Sequence, residues 1–341
     1  MKYMICVLLT LVSFSLLAVI RTVDNNNPSA GQYTTISAAI SAASNDDIIY
    51  VYPSNTAYAG FNVNKRLKIY GVGWQGTTAN IRKSMINGTV VFESGSEYSE
   101  LYGFDNGFGI WMNGVSGNIL IANCLLSSVS FNPSYSWISA NSSNYTFMSC
   151  MFNGGGSRGR WFDYQYTPTG ILISNCVFIG SAWLMDGTSS NITVINTIII
   201  STNTLFANLG SNPSLRSNYI SATGFTSGTS TSPSDPVIAY NISSTALFPS
   251  GTTNYNNIPL SGVFDSQYRP IPGSPAIDAG DPAVEYNDLD GSRNDIGAFG
   301  GPCPFDDNGF TTLPTITDIS GTLYTSPSQG LQIHVEASSR H

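Results

Sequence analysis

The chain has 341 residues, enough for one large domain or two modest ones with a full core. Only 10% of it is Asp, Glu, Lys or Arg, and 13 basic against 21 acidic side chains give a formal net charge of −8. Such a chain lacks the basic stripe that neutralises phosphates, which argues against a nucleic-acid partner. His334 and His341 stand isolated near the end, which leaves no basis for a His-based triad or a zinc site.

The first residues, "MKYMICVLLTLVSFSLLA", place Lys2 ahead of an apolar run from Met4 to Leu17 that ends in the small residue Ala18. This pattern reads as a secretory signal peptide over residues 1–18, with no transmembrane segment left once it is removed. Next, "TTISAAISAAS" sets Ile36, Ile40 and Ala43 on one face of a short helix behind a Thr cap. A helix there would cover the open edge of the first coil. "NDDIIYVYP", "KRLKIYGVG" and "SMINGTVVF" follow as strands of the first coils.

In the middle of the chain "IANCLL", "FMSCMF" and "ISNCVF" repeat one cysteine, at Cys124, Cys150 and Cys176, every 26 residues. "VINTII" and "RSNYIS" continue the series with Thr197 and Tyr219. Self-similarity at such a period marks a solenoid, each repeat burying its apolar face against its neighbours. The stretches are too short and β-branched for helices, so each repeat is a coil of short strands. Stacked coils put like side chains on like, about 4.8 Å apart. Asn123, Asn175, Asn196 and Asn218, with Ser149 as one rung, predict an amide ladder at one turn. Beside it the thiols read as inert packing; a vertical disulfide is the alternative.

A small helix, then "DIIYV"-like and "LKIYG"-like strands, then these coils, together resemble the right-handed parallel β-helix proteins of the pectate-lyase-like superfold over about residues 31–300. The resemblance implies an all-β, right-handed parallel β-helix as a single domain over residues 19–301, counting the closing segment, with a short N-terminal capping helix. Secretion or a cell-surface location goes with it, and so does a polysaccharide or surface glycan as partner. One fold hosts many sites, so the chemistry has to come from particular residues.

A second column holds Trp111, Trp137, Trp161 and Trp183, at intervals of 26, 24 and 22 residues, with Phe206 next. Facing out, these indoles form a stacking surface for sugar rings. Facing in, they fill the core. In the superfold this column resembles the sheet bordering the substrate groove, which makes the nearby Arg160, Asp163 and Asp186 catalytic candidates. Asp163 and Asp186 fall on neighbouring coils. They suit acid and base roles in glycoside hydrolysis, or a Ca²⁺ site with Arg160 as the base of a β-elimination. The plain alternative is a surface Arg–Asp pair. Two functions therefore stand: glycan binding or structural and adhesive work, with a protein partner in the latter, and a polysaccharide lyase or glycoside hydrolase.

From about Asn203 to Leu260 the pattern loosens into polar loops. "SPAIDAGDPAVEYNDLDGSRNDIGAFGG" (274–301) resembles the tail segment that closes many secreted bacterial β-helix proteins. Its Asp288, Asp290 and Asp295 alternate around Gly291, an oxygen set that suits Ca²⁺; a turn whose aspartates accept backbone N–H bonds fits equally. Residues 302–341 read as an appended arm or the remnant of an immunoglobulin-like module.

Overall fold

The computed structural model describes residues 18–27, 30–74, 83–131, 143–154, 159–164, 168–186, 190–207, 213–227, 238–248, 253–305, 315–320 and 334–338. The signal-peptide reading rests on residues 1–17, which lie outside that set, as does Trp137. Among the described residues no helix is long and apolar enough to cross a membrane.

Two long parallel sheets carry the fold, one of ten strands and one of thirteen. The chain passes from one to the other on every coil, and from Met151 to Ser227 each coil gives two successive strands to the second sheet. In the first sheet Gly117–Ala122 pairs with Ser143–Met148, which pairs with Thr169–Ser174 and then Ser190–Ile195. Each of these strands is followed by a strand of the second sheet. The result is the predicted right-handed parallel β-helix. Its capping helix is Ile36–Ala42, where the Thr35 hydroxyl accepts the Ala38 N–H and Ile36, Ala39 and Ile40 are buried. The Lys65 ammonium closes the other end by donating to the carbonyls of Ile40 and Ala43, at 2.9 and 2.7 Å.

Inside, like residues stack along the axis. Phe152 and Phe178 lie parallel with ring centroids 4.4 Å apart. Cys124, Cys150 and Cys176 are all free and buried. Each thiol donates to the carbonyl two residues back, at Ala122, Met148 and Ser174, 3.2 to 3.3 Å away. Burial pushes the Cys124 and Cys150 thiols well up, so they are held as unreactive S–H groups. On the next rung the Thr197 hydroxyl makes the same bond, to the Ile195 carbonyl.

The amide ladder needs a correction of one residue. Ile195 pairs with Arg216 and Ile198 with Tyr219, so Thr197 lies opposite Asn218, and Asn218 belongs to the thiol column. Amide stacking does occur there: the Asn241 carbonyl oxygen accepts from the Asn218 backbone and side chain, at 2.9 and 3.0 Å. Asn254 does the same for Asn241. The other column is Asn123, Ser149, Asn175, Asn196 and Ser217, every one with a left-handed φ between 47° and 56°. Asn recurs there because it tolerates this conformation better than most residues do. Its amides point outward.

They meet the segment that the sequence assigns to closing the helix. This segment lies along the flank and not over the end. Strands of the second sheet turn Leu125, Met151, Val177, Ile198, Tyr219 and Ile242 outward in one apolar column. Val263, Phe264, Ala276, Ile296 and Ala298 pack onto it as a second buried cluster. Asn175 Nδ2 donates to the carbonyls of Ala298 and Gly300, and Asn196 Nδ2 to Asn294 Oδ1 and the Asp295 carbonyl. Arg216 is ion-paired with Asp281. Gly300 is needed at this contact, since a Cβ would sit 2.0 Å from the Asp295 carbonyl oxygen. The segment ends with Phe305 edge-on to Trp74, 5.9 Å between centroids, so it runs back from the last coils toward the early ones. In the terminal arm Thr315–Ser320 pairs antiparallel with His334–Ser338.

Candidate functional site

Strand Arg160–Tyr164 pairs in parallel with Trp183–Asp186, Phe162 opposite Met185 and Asp163 opposite Asp186. On its other side Phe162 lies opposite Val129 and Asp163 opposite Ser130, which in turn lies opposite Trp111. Phe162 and Val129 face the core, so alternation turns Asp163 and Ser130 to the other face of the sheet, where both are buried. Trp111, Ser130, Asp163 and Asp186 therefore occupy one register position along the solenoid axis, about 4.8 Å per rung.

Around that line the charges are engaged. Arg160 Nη1 lies 3.2 Å from Asp163 Oδ1, and the Asp163 side chain is only 4% exposed. The Arg160 guanidinium also sits over the Trp183 ring, 5.4 Å from its centroid. Gly159, with φ 75°, turns the chain into this strand so that Arg160 reaches both partners. The structure brings Arg160, Asp163 and Trp183 together. It puts the backbone of Asp186 on the rung next to Asp163.

The tryptophans do not form one row. Trp111 is 47% exposed, whereas Trp161 is fully buried and packs on Phe178, 5.3 Å between centroids. By register Trp111 corresponds to Asp163, Trp161 to Leu184, and Trp183 to Arg160. The three indoles thus occupy three positions. The connections between the sheets differ in length from coil to coil, so counting residues loses register there. Trp161 stands near the start of its strand, and the core takes its ring against Phe178.

In the flanking segment the carboxylates act as turn acceptors. Asp288 accepts the N–H groups of Gly301 and Asp295, Asp290 the N–H and the hydroxyl of Ser292, and Asp295 the N–H of Asp278. Burial, with the charges of Asp295 and Asp290 adding to it, pushes Asp288 up to about 6 against the pull of its N–H donors. Asp295 is raised too, chiefly by burial. Among the described residues no group of three or more His, Cys, Asp or Glu side chains converges to hold a metal.

The other sheet carries an aromatic row that the sequence reading missed. Tyr50 lies opposite Tyr70 and Tyr70 opposite Tyr102. The signal was in the strands themselves, "IIYV", "KIY" and "ELY", which share one tyrosine position. Comparison with known proteins supplies no counterpart for either surface: no family model, no curated protein and no solved structure matches the chain.

Proposed function

We propose that the protein is a secreted or cell-surface β-helix that binds an extended glycan along its flank, as a binding or structural element. The observation that carries this reading is the half-exposed Trp111, with Arg160 laid between the buried Asp163 and the Trp183 ring further along the same sheet. Trp111 and Trp183 stand on different rungs of one sheet, a spread that suits an extended polymer aligned with the axis. Proton transfer needs a group within reach of the substrate and poised to exchange a proton, and here the Arg160 guanidinium is committed to a carboxylate and an indole. The extracellular location rests on the leading apolar stretch and on the architecture, which is compatible with polysaccharide-related work outside the cell.

A second reading is favoured by one observation, the placement of Asp163 and Asp186 on adjacent rungs. That rung spacing, about 4.8 Å, is close to the roughly 5 Å that separates the carboxyl groups of a retaining glycosidase. One experiment divides the two readings. The protein is incubated with polygalacturonate, alginate and neutral plant polysaccharides, and both retention on the polymer and released or unsaturated products are measured. Retention lost in Trp183→Ala without any product supports binding. Product formation abolished by Asp163→Asn would establish the enzyme.

A further inference from the structure

We propose that the Tyr50, Tyr70 and Tyr102 row is a separate binding face for an uncharged glycan lying parallel to the solenoid axis, one sugar ring per rung. The three tyrosines share a register position on the outer face of the ten-stranded sheet, each on its own coil. Ring centroids are 5.7 Å apart from Tyr50 to Tyr70 and 6.3 Å from Tyr70 to Tyr102, with the rings tilted by 38° and then 77°. These steps are comparable to the length of a pyranose unit, and the tilts leave part of each ring open. Tyr50 is 39% exposed and Tyr52, two residues on, 42%. Aromatic faces in a row at rung spacing are a surface for stacking apolar sugar faces.

The occupant is uncharged because the flanking charges cancel. Lys68 and Glu100, opposite each other one register position away, form an ion pair at 2.9 Å. The Tyr70 phenol donates to the other oxygen of Glu100 at 2.6 Å, and burial together with this bond pushes the Tyr70 hydroxyl up. The ring is thereby fixed as a neutral phenol with its edge anchored. A polyanion would meet Lys68 already paired with Glu100 and would approach a chain of net charge −8. The length of the site is also bounded. The same register continues to Thr22 at one end and to the buried Ala122 at the other, so the platform is three rungs long.

This face lies on a different sheet from Arg160 and Trp183, and its test is separate from theirs. The full chain is titrated calorimetrically with cellohexaose, laminarihexaose and xylohexaose, with oligogalacturonate as the charged comparator. At least one neutral hexasaccharide is expected to bind with the charged one inert. Tyr70→Ala splits the row and should weaken binding about tenfold, Tyr70→Phe should stay within about threefold, and Val284→Ala, at an exposed side chain of the flanking segment, should leave it unchanged. Melting temperatures are read alongside. Should Tyr70→Ala fail to fold, Tyr50→Ala at the exposed end serves, with the same loss expected. No binding by any neutral hexasaccharide at millimolar concentration would overturn the proposal, as would unchanged affinity in the folded tyrosine variant or equal binding of the charged comparator.

Discussion

At the scale of single residues, the interior sorts side chains by what one position on a rung can accept. Cys124, Cys150 and Cys176 donate weakly to a carbonyl two residues back, and Thr197 makes the same bond with a hydroxyl. A hydroxyl is therefore already accommodated in that column. Cys150→Ser should cost little in a urea titration. Cys150→Asp should cost about 3–5 kcal/mol, because an unpaired carboxylate would replace a buried apolar group. Of the four cysteines among the described residues, a thiol reagent should modify only the exposed Cys303 in the native protein, and Cys124, Cys150 and Cys176 only after denaturation. The tryptophans divide in the same way. Trp161→Ala should lose about 3–5 kcal/mol through the cavity it leaves, whereas Trp111→Ala should stay within about 0.5 kcal/mol. Equal losses in the two variants would mean that the assigned burial is wrong.

At the scale of elements, legibility followed the rigidity of the connections. The turn between the two sheets at Asn123, Asn175 and Asn196 has a fixed length and a fixed left-handed conformation, so the thiol column could be read by counting. It failed by one residue at Asn218, where the irregular later coils begin. On the other side the connections vary, and the tryptophans, equally regular on paper, fell into three registers. Asp163 and Asp186 share one position all the same: Trp183 lies one residue out of register with Trp161, and Asp186 follows its tryptophan by three residues where Asp163 follows by two. The tyrosine row shows in position within the strands and not in residue spacing, since the coils that carry Tyr50, Tyr70 and Tyr102 differ in length. The flanking segment adds an element whose stability depends on pH. Asp288 rises from an ordinary 3.8 to about 6 on folding, so the native state holds its proton more tightly than the unfolded chain does. Its contribution is fully present below about 4 and is lost as pH rises through about 6. The melting temperature should be higher at pH 5 than at pH 7.5, and Asp288→Asn should flatten that difference. Added Ca²⁺ that raises melting at pH 7.5, with EDTA reversing it, would instead assign these carboxylates to a cation.

On the scale of the whole molecule, a solenoid whose coils touch only their neighbours can open from either end. Here residues from Asp281 to Phe305 tie coils that are not neighbours, reaching from Arg216 past Asn196 and Asn175 to Trp74. The same segment covers an apolar column that would otherwise face water. Both effects run through Ile296, which is fully buried in that outer cluster and whose N–H bonds the Ala276 carbonyl. With the strap in place, the strands from Gly117 to Ser221 should exchange their amide hydrogens together, as one cooperative unit. Ile296→Asp places a charge in the cluster and should release the strap. Exchange in Ser190–Ile195 and Ile198–Ser201 should then outrun that in Gly117–Ala122, because the later coils lose their tie while the earlier ones keep neighbours on both sides. The bared column should also drive self-association, visible as a concentration-dependent sedimentation coefficient. A variant that stays monomeric with uniform exchange would show that the coils hold one another without the strap, and that the segment only shields them.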